Sequence, residues 1–191
     1  LSATPFALDL VEAQKEMQLQ VNTLRAFVCG GAAIPPHVAI LVHEYLGVEL
    51  ISLWGCTELG ICTIHQMGTP VEILAESDGF RVPYTDVRIV DDDGKLVAAG
   101  QAGRLQVRGP STFVGYFLQP DLTADMQTPD GWFDSGDIGR LTSHGGIRIT
   151  GRSKDIIIRG GQNVPVVEIE NELCKHPSIK EVVVIGVPDP R

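Results

Sequence analysis

The sequence lacks the features that mark membrane-spanning and nucleic-acid-binding proteins. Its longest apolar stretches, at residues 38–42 and 182–187, are far shorter than the ~20 residues that cross a bilayer. Acidic residues outnumber basic ones by 24 to 15, which gives a net charge of -9, and no local cluster of Lys or Arg offsets it. Such a chain repels a phosphate backbone. We therefore expect neither a membrane span nor a nucleic-acid partner.

Paired cysteines and regularly spaced histidines are missing as well. The 4 cysteines include no CxxC pair, and the 5 histidines are scattered. This pattern indicates reduced thiols in a cytoplasmic protein, and it argues against a metal site made only of protein ligands. The chain starts at Leu1 rather than at Met and opens with no basic region, so we expect no signal peptide and a start inside a longer protein.

The sequence does contain the pattern of an α/β unit in its first part. Apolar spacing predicts a helix over residues 8–21, a strand over 24–29, a second helix that begins at the paired prolines and ends near Gly47, and a strand over 48–53. A strand, a helix and a strand with short connections predict parallel pairing, and ligands in such sheets lie beyond the carboxyl ends of the strands. The loops at Gly30 and Trp54 fall there.

The pattern changes to short strands after Gly79 and changes again after Gly151. Strands are predicted over residues 87–90, 96–98, 103–108, 137–141 and 146–150, with hairpin turns at 91–94 and 143–146. A strand over 156–158, a helix over 166–174 and a strand over 179–186 follow. The predicted organisation is an α/β portion of a large domain (1–78), a β-barrel-like subdomain (79–153) and the start of a small domain (154–191).

The segment at residues 54–58 reads WGCTE and combines the groups that handle a nucleotide. An aromatic plane can stack on a purine, a Thr hydroxyl can donate to a phosphate oxygen, and a Glu can hold a hard cation. Taken alone, such a segment is more often a turn with a half-buried Trp. The adjoining residues 61–64 and His65 form either a wall of the substrate pocket or a buried strand.

Two later segments carry charged groups beside glycines. Asp137 ends the sequence FDSGD, where its carboxylate either accepts both hydroxyls of a ribose or caps a hairpin. Arg152 and Lys154 lie in a charged segment at the predicted domain change, which is either a hinge or an ordinary connector. The loop at Gly160 and Gly161 can approach a ligand closely.

In this order, the segments at residues 30–35, 54–58, 131–137 and 151–170 resemble the motifs of the acyl-CoA synthetase, adenylation-domain and luciferase superfamily. Residues 108–109 and 115–116 also fit its pattern, so the resemblance covers essentially the whole chain. It implies an α/β fold followed by a β-rich subdomain, which together form the later part of a large N-terminal domain, and then the start of a small α+β C-terminal domain.

The resemblance assigns nucleotide contacts to residues of all these segments. It implies a nucleotide floor at Gly30, Gly31 and Ala32, an adenine contact at Trp54 with Gly55 and Cys56, a phosphate contact at Thr57, a Mg²⁺ ligand at Glu58, ribose binding at Asp137, and a ribose or phosphate contact at Arg152. Trp54 stands where the family more often has Tyr. Thr57, Glu58 and Lys154 are the implied catalytic positions, with Lys154 as the hinge. Gly160 and Gly161 would border the pantetheine channel.

The implied parent is an ATP-dependent carboxylate–CoA ligase of fatty-acid or related acid metabolism. A carboxylic acid and ATP would give acyl-AMP and pyrophosphate, and the thiol of CoA would then displace AMP. Loading of a carrier protein and a non-catalytic nucleotide-binding role remain as alternatives, and the oligomeric state is left open. The family's phosphate-binding loop and its late lysine lie outside this chain, so we expect the chain alone not to adenylate.

Overall fold

A computed structural model describes residues 3–18, 23–32, 34–159, 162–164, 166–176, 178–179 and 182–187. Within these ranges no helix is long and apolar enough to cross a membrane. The described residues form a mixed α/β architecture, as predicted, with two four-stranded sheets and a two-stranded one.

The first part follows the predicted α/β order. Helix α1 spans Thr4–Met17 and α2 spans Pro36–Leu46. Each has a Pro in its first turn, where the missing N–H costs nothing. Helix α2 ends at Gly47, whose φ of 66° is the left-handed conformation that Gly adopts without a steric penalty. Helix α1 begins four residues earlier than predicted, and the predicted end at residue 21 lies outside the described residues.

The first sheet has the strand order β1-β2-β3-β4. Its strands are β1 Ala26–Cys29, β2 Glu49–Cys56, β3 Gly60–Ile64 and β4 Phe80–Arg81, and helix α3 spans Val71–Glu76 before β4. Strands β1 and β2 are parallel, which confirms the prediction, whereas β3 and β4 are antiparallel additions. The predicted end of β2 at residue 53 is wrong: the strand continues through Trp54 to Cys56, with a bulge between Trp54 and Gly55.

The second sheet is antiparallel with the order β5-β6-β7-β8. Its strands are β5 Asp86–Val90, β6 Gly103–Arg108, β7 Phe133–Leu141 and β8 Ile147–Arg152, and helix α4 spans Pro120–Asp125. Both predicted hairpin turns are present, with Gly94 and Gly145 at φ of 78° and 80°. The strand predicted over residues 96–98 is wrong, since only a single bridge joins Leu96 to Val90.

The last part begins with a single turn of 3₁₀-helix at Ser153–Asp155. Strands β9 Ile157–Arg159 and β10 Gln162–Val164 form an antiparallel hairpin, and helix α5 spans Val166–Leu173. Helix α5 was predicted, but β10 was missed. The strand predicted over 179–186 is wrong for the described residues 182–187, which form no strand. The three-part division of the chain stays a prediction.

Two hydrophobic cores hold these elements. The first lies between α1, α2 and the parallel strands, and its fully covered members include Ala7, Val38, Val42 and Leu50. The second joins β2 and β3 to the second sheet through buried apolar side chains, namely Trp54, Leu59, Cys62, Leu105, Val107 and Phe133. Because the second core spans both sheets, it fixes the end of β2 against β7.

Candidate functional site

Three of the predicted nucleotide-binding side chains meet where β2 ends against β7 and β8. The indole N–H of Trp54 donates a hydrogen bond to Oδ2 of Asp137 at 2.8 Å, although 83 residues separate them. Nε of Arg152 donates to Oδ1 of the same carboxylate at 3.1 Å. Arg152 lies opposite Asp137 in the pairing of β8 with β7. The structure thus brings together residues from three separate sequence motifs.

The backbone around Asp137 is shaped by the residues just before it. Gly136 has a φ of 72°, which a residue with a side chain seldom adopts. The Ser135 hydroxyl donates to the Leu105 carbonyl at 2.9 Å and accepts from the Asp137 N–H at 3.1 Å. From the other side, the Ser153 hydroxyl donates to the Gly136 carbonyl at 2.9 Å. These bonds fix the position from which the Asp137 carboxylate reaches Trp54.

The glycine-rich segment after β1 forms another side of the same cleft. A Cβ on Gly30 would lie 2.6 Å from Cδ1 of Leu53 and 2.9 Å from its carbonyl oxygen, so a side chain cannot be accommodated. Gly31 has a φ of 82° and open space where a Cβ would point. Gly31 and Ala32 line the cleft, and their small size lets a ligand approach the backbone.

The cleft has a volume of about 1290 Å³. The predicted residues that line it are Gly31, Ala32, Trp54, Gly55, Asp137 and Arg152. Within the described part of the chain, Gly30, Cys56, Thr57, Glu58 and Lys154 do not line it. Gly160 and Gly161 lie outside the described residues. The cleft therefore gathers the predicted base and ribose contacts and leaves the predicted phosphate and metal contacts at a different place.

Trp54 is more enclosed than a purely ligand-facing ring would be. Only 9% of its surface is exposed, and the ring packs in the second core. A base could meet only the small part of the ring that lines the cleft. The next residue, Gly55, needs to be glycine for a structural reason, because a Cβ there would overlap the carbonyl oxygen of Gly60 in the paired strand β3.

Glu58 lies in the turn between β2 and β3, beside the segment that follows β6. The Tyr116 hydroxyl donates a hydrogen bond to Oε1 of Glu58 at 2.8 Å, and the Phe113 N–H donates to the Glu58 carbonyl at 2.7 Å. The hydrogen bond from Tyr116, followed by one from Cys56, lowers the pKa of Glu58. Burial raises the pKa of the Cys56 thiol to about 11. Glu58 is therefore a carboxylate while Cys56 keeps its proton.

The chain offers no complete metal cage within the described residues, since no group of three His, Cys, Asp or Glu side chains converges there. Glu58 alone nevertheless suits Mg²⁺, which commonly uses one or two carboxylates together with substrate phosphates and water. The Glu58 side chain is partly exposed and ionised. Thr57 beside it is exposed, so both are open to a ligand that approaches from solvent.

Arg152 and Lys154 flank the end of the second sheet. The Arg152 side chain is 70% exposed in spite of its ion pair with Asp137. Lys154 is exposed within the 3₁₀ turn that separates β8 from the β9–β10 hairpin. The hinge role of Lys154 stays a prediction, but its position between two sheets is the one a hinge requires.

Sequence reasoning missed a buried ion pair at the edge of the cleft. Nη1 of Arg148 lies 3.4 Å from Oδ1 of Asp78, and each side chain is 10% exposed. The Ile149 N–H donates to Oδ2 of Asp78 at 2.8 Å, and Nη2 of Arg148 donates to the Ile34 carbonyl at 3.0 Å. Burial raises the pKa of Asp78, opposed by Arg148 and by the Ile149 N–H. The pair ties the end of the glycine-rich segment to β8. The only signal in the sequence is a cation inside an alternating strand.

His65 belongs to a buried polar chain and not to the cleft. Its Nδ1 lies 2.8 Å from the Ser52 hydroxyl and its Nε2 lies 2.7 Å from the Ser77 hydroxyl. The side chain is 2% exposed, and burial, with a smaller effect of Arg148, lowers its pKa to about 4. Residues 61–64 belong to strand β3, as the second interpretation predicts, although Ile61 is 46% exposed. Their role as a pocket wall stays a prediction.

Comparisons with known proteins agree with this geometry. The profile of a family described as AMP-binding enzyme matches residues 1–117. The medium-chain fatty-acid–CoA ligase of Escherichia coli (strain K12) is 38% identical over 191 residues, which is 100% of this chain and 34% of that protein. The 2,3-dihydroxybenzoate-AMP ligase of Bacillus subtilis (strain 168) is 33% identical over 186 residues, or 97% of this chain and 34% of that protein.

A solved structure shares the fold as well. The O-succinylbenzoate coenzyme A synthetase of Bacillus subtilis, in complex with ATP and magnesium ion, matches with a TM-score of 0.83 at 25% identity. The match covers 99% of this chain and 39% of that chain. This chain therefore spans about a third of the length of the curated relatives described above.

Proposed function

Because this chain belongs to the AMP-binding enzyme family, we propose that the full-length protein is an AMP-forming carboxylate–CoA ligase and that this chain supplies its adenine, ribose and magnesium contacts. The observation that carries the proposal is the convergence of Trp54, Asp137 and Arg152 on one cleft. The residues were assigned to one nucleotide from separate sequence motifs, and the fold brings Trp54 and Arg152 within hydrogen-bond distance of the Asp137 carboxylate.

Asp137 is the proposed ribose ligand. Each of its carboxylate oxygens accepts one protein hydrogen bond, from Trp54 or from Arg152. A carboxylate oxygen has about two acceptor positions, so both oxygens can still accept a ribose hydroxyl. The base would lie against Gly31, Ala32 and the open part of the Trp54 ring. Gly30 and Gly55 would permit close packing behind this surface. Cys56 would contribute as the last residue of strand β2, which positions Trp54.

Glu58 and Thr57 would serve the phosphates. Glu58 would hold Mg²⁺ together with phosphate oxygens, and the ion, when bound, supplies positive charge where negative charge accumulates during attack of the substrate carboxylate on the α-phosphate. The Thr57 hydroxyl is exposed and would donate to a phosphate oxygen. Arg152, most of whose side chain is exposed, would turn from Asp137 toward the ribose or phosphate of the bound nucleotide.

The second half-reaction would require a rearrangement at the end of β8. The thiol of CoA would attack the acyl carbonyl and AMP would leave. The turn that contains Lys154 is the proposed hinge for this step, because a hinge needs a few residues at the end of an element. Gly160 and Gly161, beyond the next strand, would border the pantetheine arm.

For the carboxylic acid substrate we propose a chemical class and not a single compound. A small to medium acyl, alicyclic or aromatic acid is proposed, since one relative is described as a medium-chain fatty-acid–CoA ligase and another as a 2,3-dihydroxybenzoate-AMP ligase. A second candidate, loading of a carrier-protein thiol, is kept because the second of these names, unlike the first, does not mention CoA. We also propose a cytoplasmic location, which the 4 cysteines of this chain support because they are free thiols.

The proposal is tested on the full-length protein with a panel of carboxylic acids. We expect acid-dependent pyrophosphate release with ATP and consumption of acyl-AMP on addition of CoA. Acyl-AMP that persists with CoA but disappears with a holo carrier protein would favour the second candidate. If Asp137→Asn kept the wild-type kcat/KM for ATP, the assignment of Asp137 to the nucleotide site would be wrong. The chain of residues 1–191 alone, assayed in the same way, is expected to release no pyrophosphate above background.

A further inference from the structure

We infer that Tyr116 is a positioning residue for the Glu58 carboxylate and thereby sets the affinity of the nucleotide site for a divalent cation. This inference rests on the proposed function of Glu58. The contact that carries it is the hydrogen bond from the Tyr116 hydroxyl to Oε1 of Glu58, at 2.8 Å between residues 58 positions apart. No sequence motif joins the two residues.

Tyr116 itself is held from several sides. Its ring meets Phe113 edge to face with the centroids 4.8 Å apart, and Phe113 in turn meets Phe133 of the second core at 5.4 Å. The Tyr116 N–H donates to the Thr123 hydroxyl at 2.9 Å. The phenol is therefore anchored to the core at one end and presents its hydroxyl to Glu58 at the other.

The same loop also fixes the backbone of Glu58. The Phe113 N–H donates to the Glu58 carbonyl at 2.7 Å. Phe113 thus holds the main chain of Glu58, and Tyr116 holds its side chain. With the hydrogen bond of Tyr116 on Oε1, the carboxylate has a defined orientation, and its remaining acceptor positions are presented to solvent-borne ligands. Partners that orient a metal ligand in this way typically change metal affinity when they are removed.

The test measures cation binding directly in the full-length protein. Mn²⁺ is titrated by electron paramagnetic resonance in the presence of α,β-methylene-ATP, which does not release pyrophosphate. Tyr116→Phe keeps the ring and removes the hydroxyl, and we expect it to weaken Mn²⁺ binding about 10-fold. Tyr45→Phe is the matched control, because that ring lies on α2 against Lys15, and its Mn²⁺ binding should equal that of the wild type.

A kinetic readout separates positioning from a loss of fold. With Tyr116→Phe, the Mg²⁺ concentration that gives half-maximal pyrophosphate release should rise by a similar factor, while kcat at saturating Mg²⁺ stays near the wild-type value. A merely structural role would lower kcat at every Mg²⁺ concentration, and that result would overturn the inference.

Glu58→Gln distinguishes the failure of this inference from that of the proposed function. If Glu58→Gln weakens Mn²⁺ binding and Tyr116→Phe leaves it unchanged or makes it tighter, the positioning role of Tyr116 is wrong and the metal role of Glu58 stands. If Glu58→Gln binds Mn²⁺ as the wild type does, the metal role of Glu58 is wrong and the role of Tyr116 is lost with it.

Discussion

The indole N–H of Trp54 donates a hydrogen bond to the carboxylate of Asp137 across the junction of the two sheets. Both residues are largely buried, at 9% and 7% exposure. A tyrosine, which the resemblance implies is more usual at this position, would carry its only side-chain donor at the far end of the ring. The tryptophan therefore does two things at once in this chain: its ring fills the second core, and its edge orients the proposed ribose ligand.

Replacing Trp54 by Phe is expected to weaken recognition of the ribose. The change keeps an aromatic ring but leaves Oδ2 of Asp137 without its donor, and a hydrogen bond to a charged group contributes about 1.5–3 kcal/mol. We expect kcat/KM for ATP to fall roughly 10-fold or more, with a smaller loss for 3′-deoxy-ATP. The comparison is a steady-state measurement of pyrophosphate release with both nucleotides.

Trp132→Phe provides the matched control for this prediction. Trp132 lies between Arg88 and Arg108, whose guanidinium carbons are 4.4 and 4.6 Å from its ring, and it makes no part of the cleft lining. The ratio of activities with ATP and 3′-deoxy-ATP should be unchanged in this variant. An unchanged ratio in Trp54→Phe as well would show that the indole N–H does not orient Asp137.

Two arginines at the same site are expected to respond very differently to substitution by Met. Arg148 and Asp78 form a buried pair, and removing one member of such a pair costs about 3–5 kcal/mol because the other is left without compensation. The Arg152 side chain is 70% exposed, and exposed pairs contribute about 0–1 kcal/mol. Urea unfolding should show a large loss of stability for Arg148→Met and little for Arg152→Met.

The pH dependence of these variants gives a second check on Asp78. Burial raises the pKa of Asp78 while Arg148 opposes the rise, so Arg148→Met should raise it further. A folded-state pKa above the unfolded value means that the folded state binds more protons, and stability then falls as pH rises through that window. The difference in unfolding free energy between Arg148→Met and the wild type should accordingly shrink as the pH is lowered toward 4. A deficit that is constant with pH would argue against an unpaired Asp78 carboxylate as its cause.

The elements that sequence could predict are those with a local signal. Helix α2 is bounded by Pro36 and Gly47 and has an apolar face, so its limits follow from the sequence. Strand β10 has only three residues, QNV, and two of them are polar amides without an alternating pattern. Its pairing with β9 is what makes it a strand, and pairing is not a local property.

The residues of the site that could be predicted are likewise those with a local signal in the sequence. The resemblance to a known family assigned Trp54, Asp137 and Arg152 to one site, and it could be recognised because each motif is continuous in sequence. The hydrogen bond of Tyr116 to Glu58 and the ion pair of Arg148 with Asp78 join residues 58 and 70 positions apart. Neither has a spacing that sequence alone can recognise, because the distances depend on how the second sheet packs against β2 and β3.

His65 should make the stability of the protein depend on pH between about 4 and 6.5. Burial, with a smaller effect of Arg148, lowers the pKa of His65 to about 4, against about 6.5 in an unfolded chain. In that window the unfolded state binds more protons than the folded one, so stability rises with pH and is lost as the pH falls through it. Across the whole window, the lowered pKa of His65 changes the unfolding free energy by on the order of 3 kcal/mol.

His65→Asn isolates this contribution. The variant loses hydrogen bonds to Ser52 and Ser77 and should be less stable than the wild type at pH 7. Because Asn does not titrate, the difference in unfolding free energy between the two proteins should narrow by a few kcal/mol between pH 6.5 and 4.5. Other groups cancel in this difference, since both proteins contain the same carboxylates. Urea unfolding of both proteins at several pH values measures this difference. If the two pH profiles were parallel, His65 would not be held neutral in the folded state by its buried surroundings.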